Sequence, residues 1–371
     1  MSAKPLRILG VGNGRSINFL RWGRRLRERG HEVHLASDRF SEVPAELEGL
    51  EPHLIRDLDP LLRVRGVRRL RFGTALRKLA RTLDVDLVHA HYMLPYGYWA
   101  AKADVHPFVL SPWGTDVLVH AHTRRRGRRW APVAIAAADY LVVNSDVNER
   151  ASIALGADPA RIRRIIWYAE LDRFVPEAAD PGLRARFGWP DDALMVLSLR
   201  NYRPDTNLDV AVRAFADVVA TEPRARLVLA ARAGPLRGEL EKLVADLGLN
   251  GTVVLHRAEW VDLPALVASA DVLLSLPASD STPASLLEAM ATGLPAVCGI
   301  APSIDEWVGQ GDGAELVPCR DEGAVAAALL GLLRDPDRRR AYGDRNSRVV
   351  RERIGDPGLA LEQLYRELLA A

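Results

Sequence analysis

One segment of the chain combines hydroxyl side chains with the start of a helix, a pairing suited to binding an anion. An apolar run ends at Leu276, and an apolar helical pattern then extends to Gly293. Thr282 is expected to cap this helix, with Pro283 as its first residue. Because first-turn amides and the helix dipole point at whatever precedes the helix, the segment predicts a diphosphate site. The residues expected to face the anion are Ser281, Thr282, Pro283, Ala284 and Ser285.

Two carboxylates flank this predicted anion site at different levels. Asp280 lies in the loop ahead of the helix, and Glu288 lies about a turn and a half inside it. Carboxylates accept hydrogen bonds from hydroxyl groups, so the pair suits a sugar on one side of the diphosphate and a ribose on the other. The alternative interpretation is that Asp280 is an ordinary loop acid and Glu288 an acid on the helix face.

A glycine-rich turn follows the first apolar run of the chain. Gly12 and Gly14 are expected to let the backbone approach a ligand closely before a helix begins. As a dinucleotide fingerprint the turn is incomplete, because Arg15 stands where a third glycine is needed, although Asp38 lies near the position of a ribose-binding acid. The sequence therefore disfavours a nicotinamide dinucleotide as the ligand.

Length and composition indicate a two-domain globular protein. The chain has 371 residues, of which 48% are hydrophobic and 26% charged, which excludes disordered and membrane-embedded classes. Its two cysteines, Cys298 and Cys319, are too few for a disulfide framework and fit a reducing compartment. No apolar run has the length of a signal peptide or a membrane span, so we expect a cytoplasmic location.

The elements that must position these residues follow from the hydrophobic pattern. Short aliphatic runs alternate with stretches long enough for helices, which predicts parallel sheets in an α/β fold. Prolines and acidic residues interrupt the pattern at 176–190. We therefore expect two doubly wound Rossmann-like domains, 1–178 and 179–356, facing a central cleft, with a final helix over 357–371 packing back on the first. The predicted strands are Leu6–Val11, Val33–Ala36, Leu87–Ala90, Phe108–Leu110, Leu141–Val143, Leu194–Leu199, Leu227–Ala230, Val253–Leu255, Val272–Leu276, Ala296–Cys298 and Leu316–Val317.

The acidic pair belongs to a longer motif. Asp280, seven residues, Glu288-Ala-Met-Ala and then Gly293-Leu-Pro resemble the signature of family 4 glycosyltransferases, which have the two-domain architecture called GT-B. The resemblance spans essentially the whole chain. Further matching segments are Arg29–Val33, Val88–His91, Trp113–Asp116, Arg173–Phe174, Pro302–Glu306 and Leu364–Tyr365.

The resemblance implies an activity and a donor site. It implies transfer of a sugar from a nucleotide-sugar, UDP- or GDP-linked, to an acceptor, with retention of anomeric configuration and no bound metal or other cofactor. By the same resemblance Glu288 holds the donor's ribose, Asp280 contacts the reacting sugar, and Glu306 supports the donor pocket. Gly12–Gly14 would approach the phosphates from the other domain.

Residues of the N-terminal half complete the expected site. His91, near the carboxyl end of its predicted strand, is expected to be a ligand-facing residue and His89 a packed one. His91 and Asp116 are therefore expected to be catalytic together with Asp280. Asn18 and Trp113 are expected to bind the acceptor.

The sequence departs from the family pattern where the diphosphate is normally gripped by a glycine–arginine pair and a lysine. Asn201 and Thr206 stand at those places. Arg200 or Arg203 would supply the positive charge, and the sequence leaves open which one does. These departures keep two alternatives open: a nucleotide-sugar epimerase of the same fold and a noncatalytic nucleotide-sugar-binding relative.

Arginines concentrate in the N-terminal half, in clusters over 63–71 and 124–129. They suggest either peripheral contact with the anionic inner face of a membrane or attraction of a phosphorylated acceptor. The alternative interpretation is an arginine-rich surface that only faces solvent. His89 and His91 lack a third ligand at metal-binding spacing, so no metal site is expected. No nucleic-acid-binding motif is present. The sequence does not identify the acceptor.

Overall fold

The computed structural model describes residues 4–40, 49–59, 62, 68–231, 233–277, 281–301 and 303–370. The chain divides into two compact units, the first formed by Met1–Tyr168 with Asp356–Ala371 and the second by Ala169–Gly355. Among the described residues, no helix has both the length and the hydropathy that a bilayer crossing needs.

The first unit contains a seven-stranded, fully parallel sheet. Buried aliphatic runs form its centre, as expected for strands covered by helices on both faces. Its strands are β1 (Arg7–Val11), β2 (Glu32–Ser37), β3 (Glu51–Leu54), β4 (Leu87–His91), β5 (Phe108–Ser111), β6 (Tyr140–Val143) and β7 (Ile162–Arg164). Their order in the sheet is β3-β2-β1-β4-β5-β6-β7. Leu9 lies at the centre, paired with His34 of β2 and Val88 of β4.

Helices connect these strands. Those described in the first 168 residues are α1 (Ile17–Glu28), α2 (Arg68–Leu83), α3 (Tyr98–Ala103), α4 (Ala121–Thr123), α5 (Arg125–Ala137) and α6 (Asp146–Ala154). Single 3₁₀ turns occur at Ile55–Asp57 and Pro159–Arg161, and π turns at Met93–Gly97 and Asp116–His120. A side-chain cap defines the start of α6. The hydroxyl of Ser145 accepts a hydrogen bond from the backbone amide of Asn148 at 3.1 Å.

The second unit repeats the plan. Its strands are β8 (Leu194–Ser198), β9 (Ala225–Ala230), β10 (Val253–His256), β11 (Val272–Ser275), β12 (Ala296–Gly299), β13 (Gly309–Gln310) and β14 (Gly313–Val317). They pair in parallel in the order β10-β9-β8-β11-β12-β14-β13. The helices are α7 (Leu183–Arg186), α8 (Leu208–Thr221), α9 (Arg237–Asp246), α10 (Leu263–Ala268), α11 (Ala284–Ala291), α12 (Glu322–Leu333) and α13 (Pro336–Ile354), with 3₁₀ turns at Pro176–Ala178 and Pro204–Thr206. Asp321 and Asp335 cap α12 and α13 with side-chain bonds of 2.9 Å.

The last helix, α14 (Pro357–Ala370), belongs to the first unit although it ends the chain. Tyr365 is fully buried, and its hydroxyl meets the indole nitrogen of Trp22 at 3.1 Å and Nδ1 of His89 at 2.5 Å. On the surface, Arg29 donates to Glu362 at 2.9 Å. Buried hydrogen bonds therefore join the end of the chain to α1 and β4.

The predicted α/β fold with two doubly wound sheets is confirmed. Each aliphatic run predicted as a strand is one, with ends shifted by up to three residues. The sequence patterns missed β3, β7 and β13, which are polar or very short strands at sheet edges. The division between units falls after Tyr168, ten residues before the sequence boundary at 178. The reason is that 169–178 packs on the second unit, where Arg351 donates to the carbonyls of Leu171 and Phe174.

Candidate active site

The second unit has a switch point between β8 and β11. From β8 the chain runs to β9 and β10 on one side, whereas β11 and β12 lie on the other, so the connections diverge and leave a crevice at the carboxyl ends of the strands. Arg200 follows β8 there. Its guanidinium donates to the hydroxyl of Ser275, the last residue of β11, from Nε at 3.0 Å and from a terminal nitrogen at 2.7 Å. A half-buried positive charge is therefore fixed at the switch point.

The charge of Arg200 also affects the pKa of a thiol on the neighbouring strand β12. Burial raises the pKa of Cys298, on β12, to about 12, and the nearby Arg200 charge opposes this rise. Arg203, by contrast, is exposed and bonded to its neighbour Asp205 through both carboxylate oxygens, at 3.0 and 3.2 Å. Of the two arginines that the sequence left open, Arg200 is the one placed at the strand ends.

The predicted anion-binding helix is α11. It begins at Ala284, one residue later than predicted, because Pro283 keeps an extended ψ of 109° and so acts as the N-cap. Thr282 therefore precedes the cap and does not form it. The amides of Leu286 and Leu287 donate to the carbonyl of Pro283 at 3.0 and 3.2 Å. Those of Ala284 and Ser285, nearer the end, point out of the helix as the geometry of any helix start requires.

Polar side chains surround this helix start. Ser281 and Thr282 keep 6% and 5% of their surface exposed, so they form part of the wall at the end of β11. Glu288 lies in the second turn of α11 and is 4% exposed, which is unusual for a carboxylate without a specific task. Asp280 lies outside the described residues. Glu306 is half-buried in the turn that follows β12, at the same edge of the sheet.

Two further buried hydroxyls at this edge were missed by the sequence patterns. Ser198 ends β8 and is 1% exposed, and Ser303 follows β12 with no exposed surface. Neither hydroxyl has a hydrogen-bond partner within the described parts of the chain. A buried hydroxyl without a partner is costly, so these two groups mark positions where a ligand or water is needed. A serine as the last residue of a buried strand was the available sequence signal.

Asn207 connects the start of α8 to the end of β11 at the switch point. It precedes α8 in a left-handed conformation, with φ of 50°, and is 2% exposed. Its side-chain amide donates to the carbonyl of Leu276 at 2.7 Å, just beyond β11. A non-glycine residue held in this conformation signals a geometry that its surroundings enforce. The sequence analysis placed no role on this residue.

The first unit also gathers its predicted residues at the carboxyl edge of a sheet. Gly12 and Gly14 follow β1, but their need for glycine comes from packing. A Cβ on Gly12 would lie 2.7 Å from the Phe19 ring, and one on Gly14 would lie 2.6 Å from the Arg39 carbonyl oxygen. The amide of Gly14 is bonded to the Ser37 hydroxyl at 2.9 Å. Close approach of these glycines to a phosphate stays a prediction.

His91 is more deeply buried than the sequence analysis expected. Both His89 and His91 have no exposed surface, so burial does not distinguish the expected ligand-facing histidine from the expected packed one. The ring of His91 is covered by Trp22 and Trp167, with centroids 4.6 and 4.9 Å away. Burial and the neighbouring His89 hold the pKa of His91 well below its ordinary value. Its two ring nitrogens have no partner among the described residues, and its catalytic role stays a prediction.

Asp116 organises the loop after β5. Its carboxylate accepts the backbone amides of Met93 at 2.5 Å, Trp113 at 3.0 Å and Gly114 at 2.9 Å. Burial raises the pKa of Asp116, and these amide bonds oppose the rise. The bonds make it a positioning residue for Trp113, and direct contact with substrate stays a prediction. Trp113 is half-buried at this edge, and Asn18 is half-buried in the first turn of α1.

Family models match both units of the chain. Residues 7–145 match the model described as Glycosyl transferase 4-like, and residues 181–349 match Glycosyl transferases group 1. A D-inositol 3-phosphate glycosyltransferase of Kineococcus radiotolerans is 31% identical over 71% of this chain and 67% of its own length. One of Catenulispora acidiphila is 29% identical over 70% of this chain, and the match spans 65% of that relative, slightly less than two thirds.

More distant proteins share the architecture over the whole chain. The N-acetyl-alpha-D-glucosaminyl L-malate synthase of Bacillus anthracis is 25% identical over 94% of this chain and 92% of its own. The crystal structure of Anabaena HepE in complex with UDP and glucose superposes with a TM-score of 0.80 at 17% identity, covering 98% of this chain and 100% of that one. The fold is therefore that of the GT-B enzymes. The chain belongs to the group 1 glycosyltransferases of this fold, which favours sugar transfer over the epimerase and noncatalytic alternatives.

Proposed function

We propose that this glycosyltransferase takes a sugar from a nucleoside diphosphate sugar held by the second unit and transfers it, with retention of anomeric configuration, to a small acidic acceptor. The observation that carries the proposal is the start of α11, where outward amides and two buried hydroxyls precede a helix that contains the buried Glu288. Such a helix start stabilises a diphosphate through its amides and its dipole.

The donor's diphosphate is assigned to two independent sources of positive potential. One source is the two backbone N–H groups of Ala284 and Ser285, together with the hydroxyl groups of Ser281 and Thr282. The other is Arg200, which Ser275 holds at the end of the strand leading to α11. An arginine presents planar, paired donors to phosphate oxygens, so it replaces the lysine that the family pattern normally has here.

The rest of the donor is assigned by residue chemistry. Glu288 accepts hydrogen bonds from the ribose hydroxyls, because a buried carboxylate offers acceptors that water cannot screen. Asp280 contacts the transferred sugar, and Glu306 supports the donor pocket from beyond β12. Uridine is the proposed base, since the structurally similar HepE was crystallised with UDP and glucose.

The chemistry needs charge stabilisation on the leaving group. As the bond between the sugar and the diphosphate breaks, negative charge grows on the phosphate oxygens. Fixed N–H groups and a guanidinium stabilise that charge without needing to reorganise, an effect worth several kcal/mol in catalysis. Neither a metal ion nor another cofactor is required in this scheme. The departing phosphate accepts the proton of the acceptor hydroxyl on the same face, which accounts for retention.

The acceptor is proposed to be a small hydroxyl compound that carries an acid group. The names of the relatives specify inositol 3-phosphate and malate, both of which combine hydroxyl and acidic groups. The first unit offers an arginine for such a group: Arg21 on α1 is 4% exposed and donates to the Tyr168 carbonyl at 3.3 Å. Asn18 lies one helical turn before it and Trp113 at the same sheet edge.

A peripheral membrane contact is proposed for α5 and the residue before it. The exposed arginines there are Arg124, Arg125, Arg126, Arg128 and Arg129. Several cationic side chains on one short segment attract anionic lipid, with a contribution that falls as salt increases. Trp22 and Trp99 do not assist as anchors because they are buried in the core. Flotation with vesicles of increasing phosphatidylserine content tests the contact, and binding that ignores both lipid charge and salt would contradict it.

The enzymatic proposal is tested by a donor and acceptor screen. UDP-, GDP-, ADP- and TDP-sugars are first compared by thermal shift, since a ligand stabilises the folded protein in proportion to the logarithm of its concentration over its Kd. The donor that binds is then incubated with inositol 3-phosphate or malate while nucleotide release is measured. We expect release only when acceptor is present. Conversion of the sugar in the absence of acceptor would support an epimerase instead.

A further inference from the structure

Two histidines and a glutamate meet on the first unit's sheet, away from every residue assigned above. They are His34 on β2 with Glu51 and His53 on the edge strand β3. One nitrogen of His34, Nδ1, lies 3.2 Å from Nε2 of His53 and 3.0 Å from a carboxylate oxygen of Glu51. The three ligand atoms all lie within 4.8 Å of one another. Residues on adjacent parallel strands thus bring three possible metal-ligand atoms close together.

Glu32 and Glu51 compete for the single proton of a neutral His34. A carboxylate oxygen of Glu32 lies 2.9 Å from Nε2 of His34, a contact that requires the proton on Nε2. Nδ1 then carries the lone pair, and the Glu51 carboxylate faces it at a distance where two acceptors repel. The opposite tautomer relieves Glu51 and creates the same conflict at Glu32. Neither neutral form of His34 satisfies both carboxylates, whereas a ring that is protonated on both nitrogens or that binds a cation through Nδ1 does.

A divalent cation between the three donors removes the conflict. In a tetrahedral zinc site with bonds of about 2.0 to 2.1 Å, ligand atoms lie roughly 3.3 Å apart. The separations of 3.2 and 3.0 Å from His34 are close to that edge length. A carboxylate that accepts from the other ring nitrogen of a metal-binding histidine is a common outer partner, because it fixes the tautomer and makes the ligand more basic. Glu32 occupies that position.

We propose that His34, His53 and Glu51 form a binding site for a divalent transition metal ion of the zinc type, with Glu32 as the carboxylate behind His34. Water takes the fourth position, since the Glu51 side chain is 63% exposed whereas that of His34 is only 3% exposed. Imidazole and carboxylate ligands suit Zn²⁺ and Co²⁺. The site's physical effect is to fasten the short edge strand β3 to β2, whose register pairs His34 with Glu51.

Metal binding is measured on the full-length protein after dialysis against a chelator and then against metal-free buffer. Zn²⁺ affinity is obtained by competition with a chromophoric chelator, and Co²⁺ is added separately to record its visible absorption. We expect one Zn²⁺ per chain, a tetrahedral Co²⁺ spectrum and a raised thermal midpoint with Zn²⁺. His53→Gln should weaken Zn²⁺ binding at least tenfold, and Glu32→Gln by roughly 10- to 100-fold.

A control uses another histidine–carboxylate pair of this unit, in which the histidine is exposed. Nδ1 of His106 lies 2.7 Å from Asp139, but the described structure places no second histidine there. His106→Gln should leave Zn²⁺ affinity unchanged. If His53→Gln fails to fold, Glu51→Gln gives the same information, because its side chain is largely exposed. Equal Zn²⁺ binding by wild type and both of these variants, or no Zn²⁺ binding by the wild type, overturns the proposal and leaves a hydrogen-bonded histidine pair.

Discussion

Glu288 is the residue whose burial most needs an explanation at the donor site. Glu288 is 4% exposed, and in the proposed donor complex its carboxylate accepts hydrogen bonds from the ribose hydroxyls. Glu288→Gln should weaken binding of the donor nucleotide by about 1 to 3 kcal/mol, or roughly 5- to 150-fold, the cost of unpaired buried groups. Isothermal titration with UDP measures the change.

The control for Glu288 is a glutamate of the same unit that faces solvent. Glu239, in the first turn of α9, is exposed, so Glu239→Gln should leave nucleotide affinity within error of the wild type. Comparable circular dichroism spectra of the two variants would show that both fold. Unchanged affinity in Glu288→Gln would remove this residue from the donor site.

Arg200 and Arg203 form a matched pair three residues apart. Arg200 is held by Ser275 at the switch point, whereas Arg203 forms an exposed pair with Asp205, and such surface pairs contribute little. If Arg200 stabilises charge on the departing diphosphate, Arg200→Ala should lower kcat by about 10² to 10³, and Arg203→Ala should stay close to the wild type. Steady-state kinetics with saturating donor separate the two. The reverse order of effects would assign the phosphate contact to Arg203.

At the scale of single residues, the sequence predicted the element in which a residue lies better than it predicted the side chains that surround it. The start of α11 lies within one residue of the predicted one, because helix-start rules depend on neighbouring residues only. The environment of His91 depends on Trp22 and Trp167, which are distant in sequence and meet it only in the fold. Likewise Gly12 is required by Phe19 packing, which no local pattern reveals.

At the scale of elements, β4 carries two buried neutral histidines through the centre of a sheet. Burial lowers the pKa of His89 from 6.5 to about 3, so below pH 6.5 the unfolded chain takes up a proton that the folded chain does not. Stability from this group is therefore complete above pH 6.5 and is lost as the pH falls, by about 1.4 kcal/mol per unit.

A substitution at His89 isolates the contribution of this histidine to the pH dependence of stability. His89→Gln lowers stability at pH 7 because the bonds to Tyr365 and Ser111 are disturbed. Its cost relative to wild type should shrink by about 2 kcal/mol between pH 7 and pH 5, since only the wild type loses the histidine contribution. Urea denaturation at both pH values measures the difference. A cost for His89→Gln that is constant with pH would contradict the buried neutral state.

Close packing of α13 against the turn that follows α11 supports the helix of the proposed donor site. Gly343 in α13 lies against the backbone of Gly293, two residues beyond the end of α11, and a Cβ at Gly343 would overlap the Gly293 carbonyl. Gly343→Ala should therefore destabilise the second unit by about 1 to 3 kcal/mol. Gly238→Ala, in α9 with open space around its Cβ, should instead stabilise by about 0.5 to 1 kcal/mol. Denaturation midpoints compare them, and equal shifts would contradict the packing argument.

Elements were predictable where burial is two-sided. Central strands such as β1 and β8 are mostly apolar, so the hydrophobic pattern alone located them. The edge strand β3, with sequence Glu-Pro-His-Leu, has no such signature, because one side of an edge strand is not covered by a neighbouring strand. The proposed metal ligands Glu51 and His53 lie on this strand, and for that reason the sequence patterns did not bring them together with His34.

At the scale of the whole molecule, the two proposed roles for charge make different demands on metal ions. In the proposed donor site the charge is stabilised by amides and Arg200, so the transfer reaction should continue when every divalent ion is removed. The cluster on β2 and β3 binds metal for stability and takes no part in the reaction. A chelator therefore should lower the thermal midpoint of the protein while leaving kcat unchanged at temperatures well below that midpoint.

The measurement is turnover of donor and acceptor in excess EDTA, with wild type and His53→Gln assayed side by side. Both enzymes should retain full kcat, and only the wild type should change its melting temperature when EDTA is added. Loss of turnover that Mg²⁺ restores in both enzymes would refute metal-free leaving-group stabilisation and leave the cluster untouched. Loss that Zn²⁺ restores in the wild type alone would instead show that the metal bound on β2 and β3 maintains the active conformation. The two outcomes separate a failure of the proposed chemistry at α11 from a dependence of activity on the metal bound at β2 and β3.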